Sequence, residues 1–493
     1  MAPRFIRNLV PQREAKAGSR TLWQALKTVT FVQWLQLFTG WVAWSCDAID
    51  FFSVSLTGTL LDKQFGKDNT QLTTAITLTL LFRSIGAVLF GVMSDRFGRK
   101  WPLVINLSLV SVFSLATGFV QTFKQFLAVR ALFGVAMGGI WGLAASTALE
   151  NLPVEVRGLA SGLLQEGYAV GYLFAAVVDL YLVPETGNNW RALFWTGSGI
   201  SAFAAVLRAI TPESEVFLRA KAIEKAKGTD TSKKTKIFVH ETKEMLKQHW
   251  KLCIYAVLLM TGFNFLSHGS QDLYPIYLET SKGIGTRDAT IATIIGNCGA
   301  IVGGAFAGWG SQYIGRRLTI VICCVLVGAF IPLWILPSGF SALAAGAFCI
   351  QIGVQGAWGV IPIFLAEISP PAFRATFPGV AYQLGNMVSS ASSQIEARGG
   401  DNFTLSNGQP NYAPVQGIFI GVVTAFVLLI TIVGPEKHAA RFEKHKTAFE
   451  EGGADDDAVL EDEYASGSAS DPERRPTEVE EVHEKRSQES LST

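Results

Sequence analysis

The chain has 493 residues, 49% hydrophobic and only 16% charged, with a mean hydropathy of +0.31. Soluble proteins carry nearer a quarter charged residues, so this composition excludes an ordinary soluble protein and predicts a polytopic, all-α membrane protein. The formal net charge of +1 hides a segregation of charge along the chain, and no nucleic-acid partner is expected.

Residues 1–28 read as a polar, basic tail without the apolar run and small-residue cleavage site of a signal peptide. Apolar segments follow at about 29–57, 72–94, 101–120, 125–148, 158–182 and 191–210. After a lysine-rich loop at 211–249, six more lie at about 250–279, 287–310, 317–336, 341–366, 376–396 and 414–434. Most reach the roughly 20 residues that span a bilayer as helix. The predicted organisation is a six-helix half at 29–210, a six-helix half at 250–434 and an acidic, aromatic-poor tail at 435–493 expected to be disordered. Arginine and lysine concentrate on one side of this topology, at Arg96, Arg99, Lys100, Arg157, the central loop, Arg316, Arg317 and Arg374. That bias predicts both termini in the cytoplasm. The six cysteines, Cys46, Cys253, Cys298, Cys323, Cys324 and Cys349, lie in apolar runs without metal-ligand spacing. No metal, no cofactor and no enzymatic chemistry are expected.

Two loop motifs recur at one offset. GVMSDRFGRK from Gly91 returns as GWGSQYIGRR from Gly308, and 308 − 91 = 217. Glu150, Pro153 and Arg157 return as Glu367, Pro370 and Arg374, and 367 − 150 = 217. The first loop resembles the signature between the second and third helices of the major facilitator superfamily. In it Gly91 permits close helix approach, Asp95 pairs with a basic residue or caps a helix, and Arg99 anchors the loop. In the second copy Gln312 replaces Asp95, which predicts a weakened interaction there. The resemblance implies that superfamily's fold, twelve transmembrane helices in two pseudo-symmetric six-helix halves. Arg130, Gly134, Gly138 and Gly142 resemble its fourth-helix motif. Arg130 reads either as a proton or substrate residue or as a structural partner of a carboxylate such as Glu166, which follows its own small-residue face at Gly158 and Gly162. Glu150, Arg157, Arg316, Glu367 and Arg374 read as gating salt bridges, with substrate contact the alternative.

Several polar residues fall at membrane depth, where such groups face a cavity or a partner. Asp47 and Asp50, three apart in GWVAWSCDAIDFF beside Trp44, share a helix side and suggest proton or cation handling. The alternative is that one or both reach water at a helix end. Arg83 in LLFRSIGAV needs a counter-charge, either a protein carboxylate or an anionic substrate. In NFLSHGSQDLYP, Asn264, His268 and Asp272 stack on one helical face, with Ser267 and Gln271 in a neighbouring row. His268 beside Asp272 reads as a proton carrier, or as a neutral imidazole bracing a kink near Gly269 and Pro275.

NFLSHGSQD resembles the signature of the fungal lactate/carboxylate:proton symporter family, related to the sialate:proton symporters. Asn264, Ser267, His268, Ser270, Gln271 and Asp272 match, and Ile276 stands where the family carries threonine. Gln383 and Asn386, in GVAYQLGNMVSSASSQIE, match polar family positions implicated in substrate recognition. The resemblance implies plasma-membrane uptake of lactate, pyruvate or acetate with protons by alternating access. Arg83, Asn264, Ser267, His268, Gln271, Gln383 and Asn386 would hold substrate, and His268, Asp272, Asp47, Asp50 and Glu166 would couple protons. Alternatives are a dicarboxylate (succinate or malate) symporter and a proton-coupled sugar or sialic-acid porter. The expected partners are a carboxylate anion, a proton and the lipid bilayer, with a monomeric chain and endocytic or ubiquitination machinery on its tails.

Overall fold

The computed structural model describes residues 21–67, 69–187, 189–215, 217–218, 221–222, 231–370, 373 and 376–436. Most of the N-terminal tail, the acidic C-terminal tail and Arg374 lie outside the described residues, as does the side chain of Asp95. Among the described residues the regular structure is helical, apart from one isolated bridge between Thr404 and Pro410.

The first half comprises α1 (Leu22–Leu26), α2 (Phe31–Leu56), α3 (Gly58–Phe65), α4 (Asn69–Phe97), α5 (Lys100–Thr117), α6 (Phe123–Met137), α7 (Ile140–Leu149), α8 (Arg157–Glu185) and α9 (Arg191–Ile210). After α10 (Thr231–Gln248) come α11 (Trp250–Gln271), α12 (Tyr274–Lys282), α13 (Thr286–Ile314), α14 (Arg316–Ile335), α15 (Phe340–Ile368), α16 (Thr376–Ser389), α17 (Ser392–Asn402) and α18 (Tyr412–Val433). Helix starts follow local chemistry. Thr30 and Thr122 each accept the backbone N–H of a glutamine three residues on, Gln33 and Gln125, whose side chain returns the bond. These capping boxes satisfy N–H groups that a helix leaves unpaired.

The repeat seen in the loops extends to the helices. Helix α13 starts and ends 217 residues after α4, since 286 − 69 = 217 and 314 − 97 = 217. Gly98 and Gly315 share that offset (315 − 98 = 217), and both hold φ at +97°. Only glycine adopts that backbone readily, so the turn between the second and third helices of each half depends on it. The kink expected near Gly269 and Pro275 falls between them, closer to the proline. Helix α11 runs unbroken through Gly269 to Gln271, and the break comes at Leu273, with Pro275 opening α12. A proline in a first helical turn costs no hydrogen bond.

Nine of the helices, and α6 taken together with α7, are long and apolar enough to cross a membrane, ten candidate spans among the described residues. The two remaining predicted spans are α2, and α16 with α17. Their lower apolarity has a structural cause, because 19 of the 26 residues of α2 are buried inside the bundle. A helix that faces protein on most sides tolerates Gln36, Asp47 and Asp50 where lipid would not.

The halves meet along two seams. In one, α8 lies on α13 and α15; in the other, α4 lies on α16 and α17. Small residues set the first seam: a Cβ on Gly162 would fall 2.5 Å from the Gly304 carbonyl oxygen, and one on Gly308 2.7 Å from the Gly162 Cα. Ser161 fixes the same contact, donating to the Gly359 carbonyl at 2.8 Å and accepting from the Ile363 N–H at 3.1 Å. Such close backbone approach is how helices associate where lipid removes the hydrophobic drive.

Gly162→Val should therefore lower the thermal midpoint of the purified protein, by an amount matching the roughly 1–3 kcal/mol typical of overpacking. Gly199→Ala, at a position where an added Cβ meets nothing within 4 Å, should leave it unchanged. Equal melting of the two variants would contradict the seam.

Candidate functional site

The centre of the bundle is a buried ion pair. Arg83 of α4 places Nη2 2.5 Å from Asp47 Oδ2 of α2, and their side chains are 1% and 0% exposed. The glycine stripe of the fourth helix sets the depth of this arginine. A Cβ on Gly134 would stand 2.4 Å from the Thr79 carbonyl oxygen and one on Gly138 2.0 Å from that of Arg83, so α6 and the break behind it lie directly against α4. Asp47 therefore does not reach water, and Arg83 has a protein counter-charge. The pair is nevertheless incomplete: Arg83 Nε and Nη1 and Asp47 Oδ1 are buried without a hydrogen-bond partner among the described residues. Leaving such groups unpaired costs about 1–3 kcal/mol each, more when charged.

An aromatic wall surrounds the pair. The guanidinium lies 5.9 Å from the ring centres of both Phe51 and Tyr382. Around Tyr382 stand Trp141 at 4.7 Å, Trp358 at 5.7 Å and Trp44 at 6.1 Å. Trp44 in turn stacks on Tyr168 at 5.1 Å. The indole N–H groups of Trp44 and Trp358 also lack partners among the described residues. Trp141, Tyr168, Trp358 and Tyr382 come from four helices, and nothing in their local sequence singles them out.

The second half contributes a polar chain. Ser393 donates to Asp272 Oδ2 at 3.0 Å, and Asp272 Oδ1 faces His268 Nδ1 at 3.1 Å. His268 Nε2 faces Asn386 Oδ1 at 3.1 Å, Asn386 Nδ2 donates to Gln383 Oε1 at 2.7 Å, and Gln383 Nε2 donates to the Gly138 carbonyl at 3.2 Å. The last link fixes the sense of the chain, because a backbone carbonyl only accepts. Both amides are then oriented so that Asn386 presents an oxygen to the imidazole while Asp272 presents a carboxylate. A neutral imidazole donates from one nitrogen only, so the arrangement suits the imidazolium. Asn264 donates to the Tyr382 carbonyl at 3.2 Å, fastening α11 to α16. Phe51 lies between the two systems, 5.5 Å from the His268 ring.

Other predicted residues sit elsewhere. Ser267 donates to Gln271 Oε1 at 3.0 Å, and Gln271 Nε2 donates to Gln351 at 3.0 Å. Gln271 and Gln351 line a separate small cleft with Tyr172, Asn297 and Trp334. Asp50 does not share the hydrogen-bond partner of Asp47: it accepts from Ser114 of α5 and Ser201 of α9. Arg130 is not paired with Glu166. Its guanidinium lies 4.1 Å from the Phe133 ring centre and interacts with Asp50 and Asp47. Glu166 instead lies on the α8–α13 seam beside Gly304, with Oε1 unpartnered among the described residues. Ile276 is buried, and a Cβ on Gly58 would touch its Cδ1 at 3.6 Å.

At the end of the bundle that carries the loop motifs, the repeat produces matching latches. Arg99 bonds Glu150 at 2.9 Å, and Arg316 bonds Glu367 at 3.0 Å. Glu150 thus pairs with Arg99, while Arg157 donates to the Leu152 carbonyl at 2.9 Å. Gln312 is not a lost contact: it accepts from Arg316 at 2.9 Å and donates across the halves to the Val154 carbonyl at 3.3 Å. Gly91 lies at the α4–α16 seam, where an added Cβ would touch Thr376 at 3.5 Å. Among the described residues no group of three or more His, Cys, Asp or Glu is placed to hold a metal ion.

A bundle of two repeated six-helix halves closed around buried charge defines a membrane transporter of the alternating-access type. The family model of the Major Facilitator Superfamily matches residues 40–393, and the chain belongs to that superfamily. A "Carboxylic acid transporter protein homolog" of Saccharomyces cerevisiae is 35% identical over 84% of this chain and 70% of its own length. The "Sialic acid transporter NanX" of Escherichia coli is 25% identical over 81% of this chain and 93% of its own. Among solved structures, the xylose transporter XylE from E. coli, in a partially occluded inward-open conformation, superimposes with a TM-score of 0.63 at 18% identity. That match covers 83% of this chain and 99% of that one, and it shows the shared fold.

Removing one member of the central pair should be worse than removing both. Asp47→Asn leaves a buried arginine unpaired, a loss of about 3–5 kcal/mol, and should depress the thermal midpoint more than Asp47→Asn with Arg83→Gln. A double variant that melts below the single one would show that Arg83 does not depend on Asp47.

Proposed function

We propose that the protein carries short-chain monocarboxylates, such as lactate and pyruvate, into the cell together with protons across the plasma membrane, as a member of the carboxylate:proton symporter group. The observation that carries this reading is the half-used guanidinium of Arg83, whose Nε and Nη1 have no partner among the described residues inside a buried, aromatic-walled centre. A planar fork of that kind matches a carboxylate bidentately. The resemblance of NFLSHGSQD to that group's signature and the carboxylic acid transporter homologue in yeast support the same substrate class.

The anion would sit between Arg83 and the polar chain, with Asn386 and Gln383 within the same wall and His268 holding the proton. Asn264 would fasten the wall rather than touch substrate, and Ser267 and Gln271 would shape the neighbouring cleft. One anion plus one proton crosses without net charge, which removes a cost of roughly 2.3 kcal/mol per charge per 100 mV of membrane potential. A second reading, unsaturated or aromatic acids, is favoured by the wall of Trp44, Trp141, Trp358, Tyr168 and Tyr382. Relatives include a "Cis,cis-muconate transport protein" of Acinetobacter baylyi, 26% identical over 69% of this chain and 81% of its own length.

Uptake of labelled lactate into cells lacking their own carboxylate carriers should rise as external pH falls and collapse with an uncoupler. Competition by pyruvate, acetate, succinate, malate, muconate, benzoate and xylose ranks the substrates, and a carrier inhibited by the sugar alone would defeat the carboxylate assignment. Arg83→Gln should lower apparent affinity roughly ten- to a hundredfold, the equivalent of losing a charge-assisted contact of about 1.5–3 kcal/mol. Normal transport by that variant at normal surface abundance would remove Arg83 from the site.

A further inference from the structure

Beside the His268–Asp272 pair, the second half buries another carboxyl group. Glu396 of α17 is 0% exposed. Its Oε2 accepts from Gln416 Nε2 of α18 at 3.1 Å, and Gln416 Oε1 accepts from the Trp334 indole at 3.0 Å. An indole N–H only donates, so the amide is locked in the sense that donates to Glu396. Oε1 has no hydrogen-bond partner among the described residues. It sits against α11 where Gly269 lacks a side chain, 3.2 Å from the place a Cβ would take. Asp272 follows Gly269 by three residues and Ser393 precedes Glu396 by three, so each pair shares a helix face. Ser393 is also the residue that bonds Asp272. The two carboxyl groups thus face the same α11–α17 contact.

The charged group acting on Glu396 is Asp272, of like sign, with His268 behind it. Helix α18 offers the neutral Gln416, and α4 meets α17 through Thr73 and Thr74 on Gln394. On its own helix Arg398 is exposed. An imidazolium and a carboxylate at His268 and Asp272 balance each other. A second carboxylate beside them would leave uncompensated negative charge in a fully buried site. The cluster is neutral when Glu396 carries a proton.

We propose that Glu396 is a proton-carrying residue of this transporter, which takes up the co-transported proton and hands it to Asp272. In that step the O–H bond of Glu396 breaks, an O–H bond forms on Asp272, and Glu396 is left as a carboxylate. Nothing is oxidised or reduced. The inference rests on the proton-coupled reading above and adds to it a residue outside the NFLSHGSQD stretch.

The test uses the full chain, purified and reconstituted in liposomes, with labelled lactate as probe. Accumulation driven by an imposed pH gradient is compared with counterflow, the exchange of internal for external lactate at equal pH. Glu396→Gln, which keeps shape and fixes neutrality, should lose pH-driven accumulation and keep counterflow, and Glu396→Asp should restore accumulation in part. Difference infrared spectra of the same preparations across pH should show a protonated-carboxyl band in the wild type that Glu396→Gln lacks. Gradient-driven accumulation of wild-type size in Glu396→Gln overturns the proposal. So does loss of counterflow together with accumulation in protein that melts normally, which would mark Glu396 as a substrate or packing residue. A wild type that exchanges lactate but ignores the pH gradient refutes proton coupling itself. The infrared arm then decides separately whether Glu396 holds a proton, and an unchanged band in Glu396→Gln overturns that too.

Discussion

The arrangement depends on one constraint: a guanidinium is held in the middle of a low-dielectric bundle. Charges removed from water are tolerated when they are paired and hydrogen-bonded, and penalised heavily when one partner is missing. Arg83 meets half of that condition through Asp47 and leaves the other half open. The rest of the first half is arranged around the pair. The glycines of the fourth helix bring its backbone against the carbonyls of Thr79 and Arg83. Helix α2 gives up its apolar character to be buried on most sides, and the aromatic wall excludes water without itself neutralising the charge. A site built this way would bind an anion by completing hydrogen bonds that the protein lacks. That gives a stronger preference than an already satisfied arginine would have.

The halves are alike at their ends and unlike at the centre. The latches Arg99–Glu150 and Arg316–Glu367 are related by the same offset as the loops, and so are the positive-φ glycines Gly98 and Gly315. Their settings differ, since the first latch is about an eighth exposed (13% and 12%) and the second is buried (0% and 2%). Ion pairs open to water contribute little and exchange readily, whereas buried ones are costly to break. The first half's latch is therefore the easier to undo. At the centre the first half holds the charge pair and the second holds the imidazole, the carboxyl groups and the amide chain.

Much of this was legible in the sequence because it is local or repeated. Apolar length fixes where helices run, glycine and charge fix the loops, and a repeated offset ties the two halves together. The His268–Asp272 contact was legible because a four-residue spacing places both on one helix face. What the sequence left open was the choice among partners on different helices. Asp47 and Asp50 differ by three residues, yet a small rotation sends one to Arg83 and the other to Ser114 and Ser201. Arg130 could not be assigned to Asp50 rather than Glu166 without knowing which face of α8 meets α13. The aromatic wall is assembled from single residues of α7, α8, α15 and α16, so no window of sequence contains it. Glu396, in the middle of a short polar helix, has the local appearance of a solvent-facing carboxylate until α18 is packed over it.

The placement of the two proposed cargoes gives a physical basis for coupling. The anion would lie on Arg83, in the first half, and the proton on groups of the second half. The chain from His268 through Asn386 and Gln383 ends on the backbone of Gly138, the residue packed against the Arg83 carbonyl. Its sense is satisfied when the imidazole donates at both nitrogens. Loss of the proton from Nε2 would set a lone pair against the Asn386 oxygen, and reversing the amides to relieve it would set the Gln383 oxygen against the Gly138 carbonyl. One bond between the halves, from Gln383 to Gly138, is thus tied through Asn386 to the donor at His268 Nε2. A ligand shifts a conformational equilibrium only by as much as it favours one state. On the proposed reading the proton would favour the state in which the halves are joined beside the arginine, and so the closed site that the anion would complete.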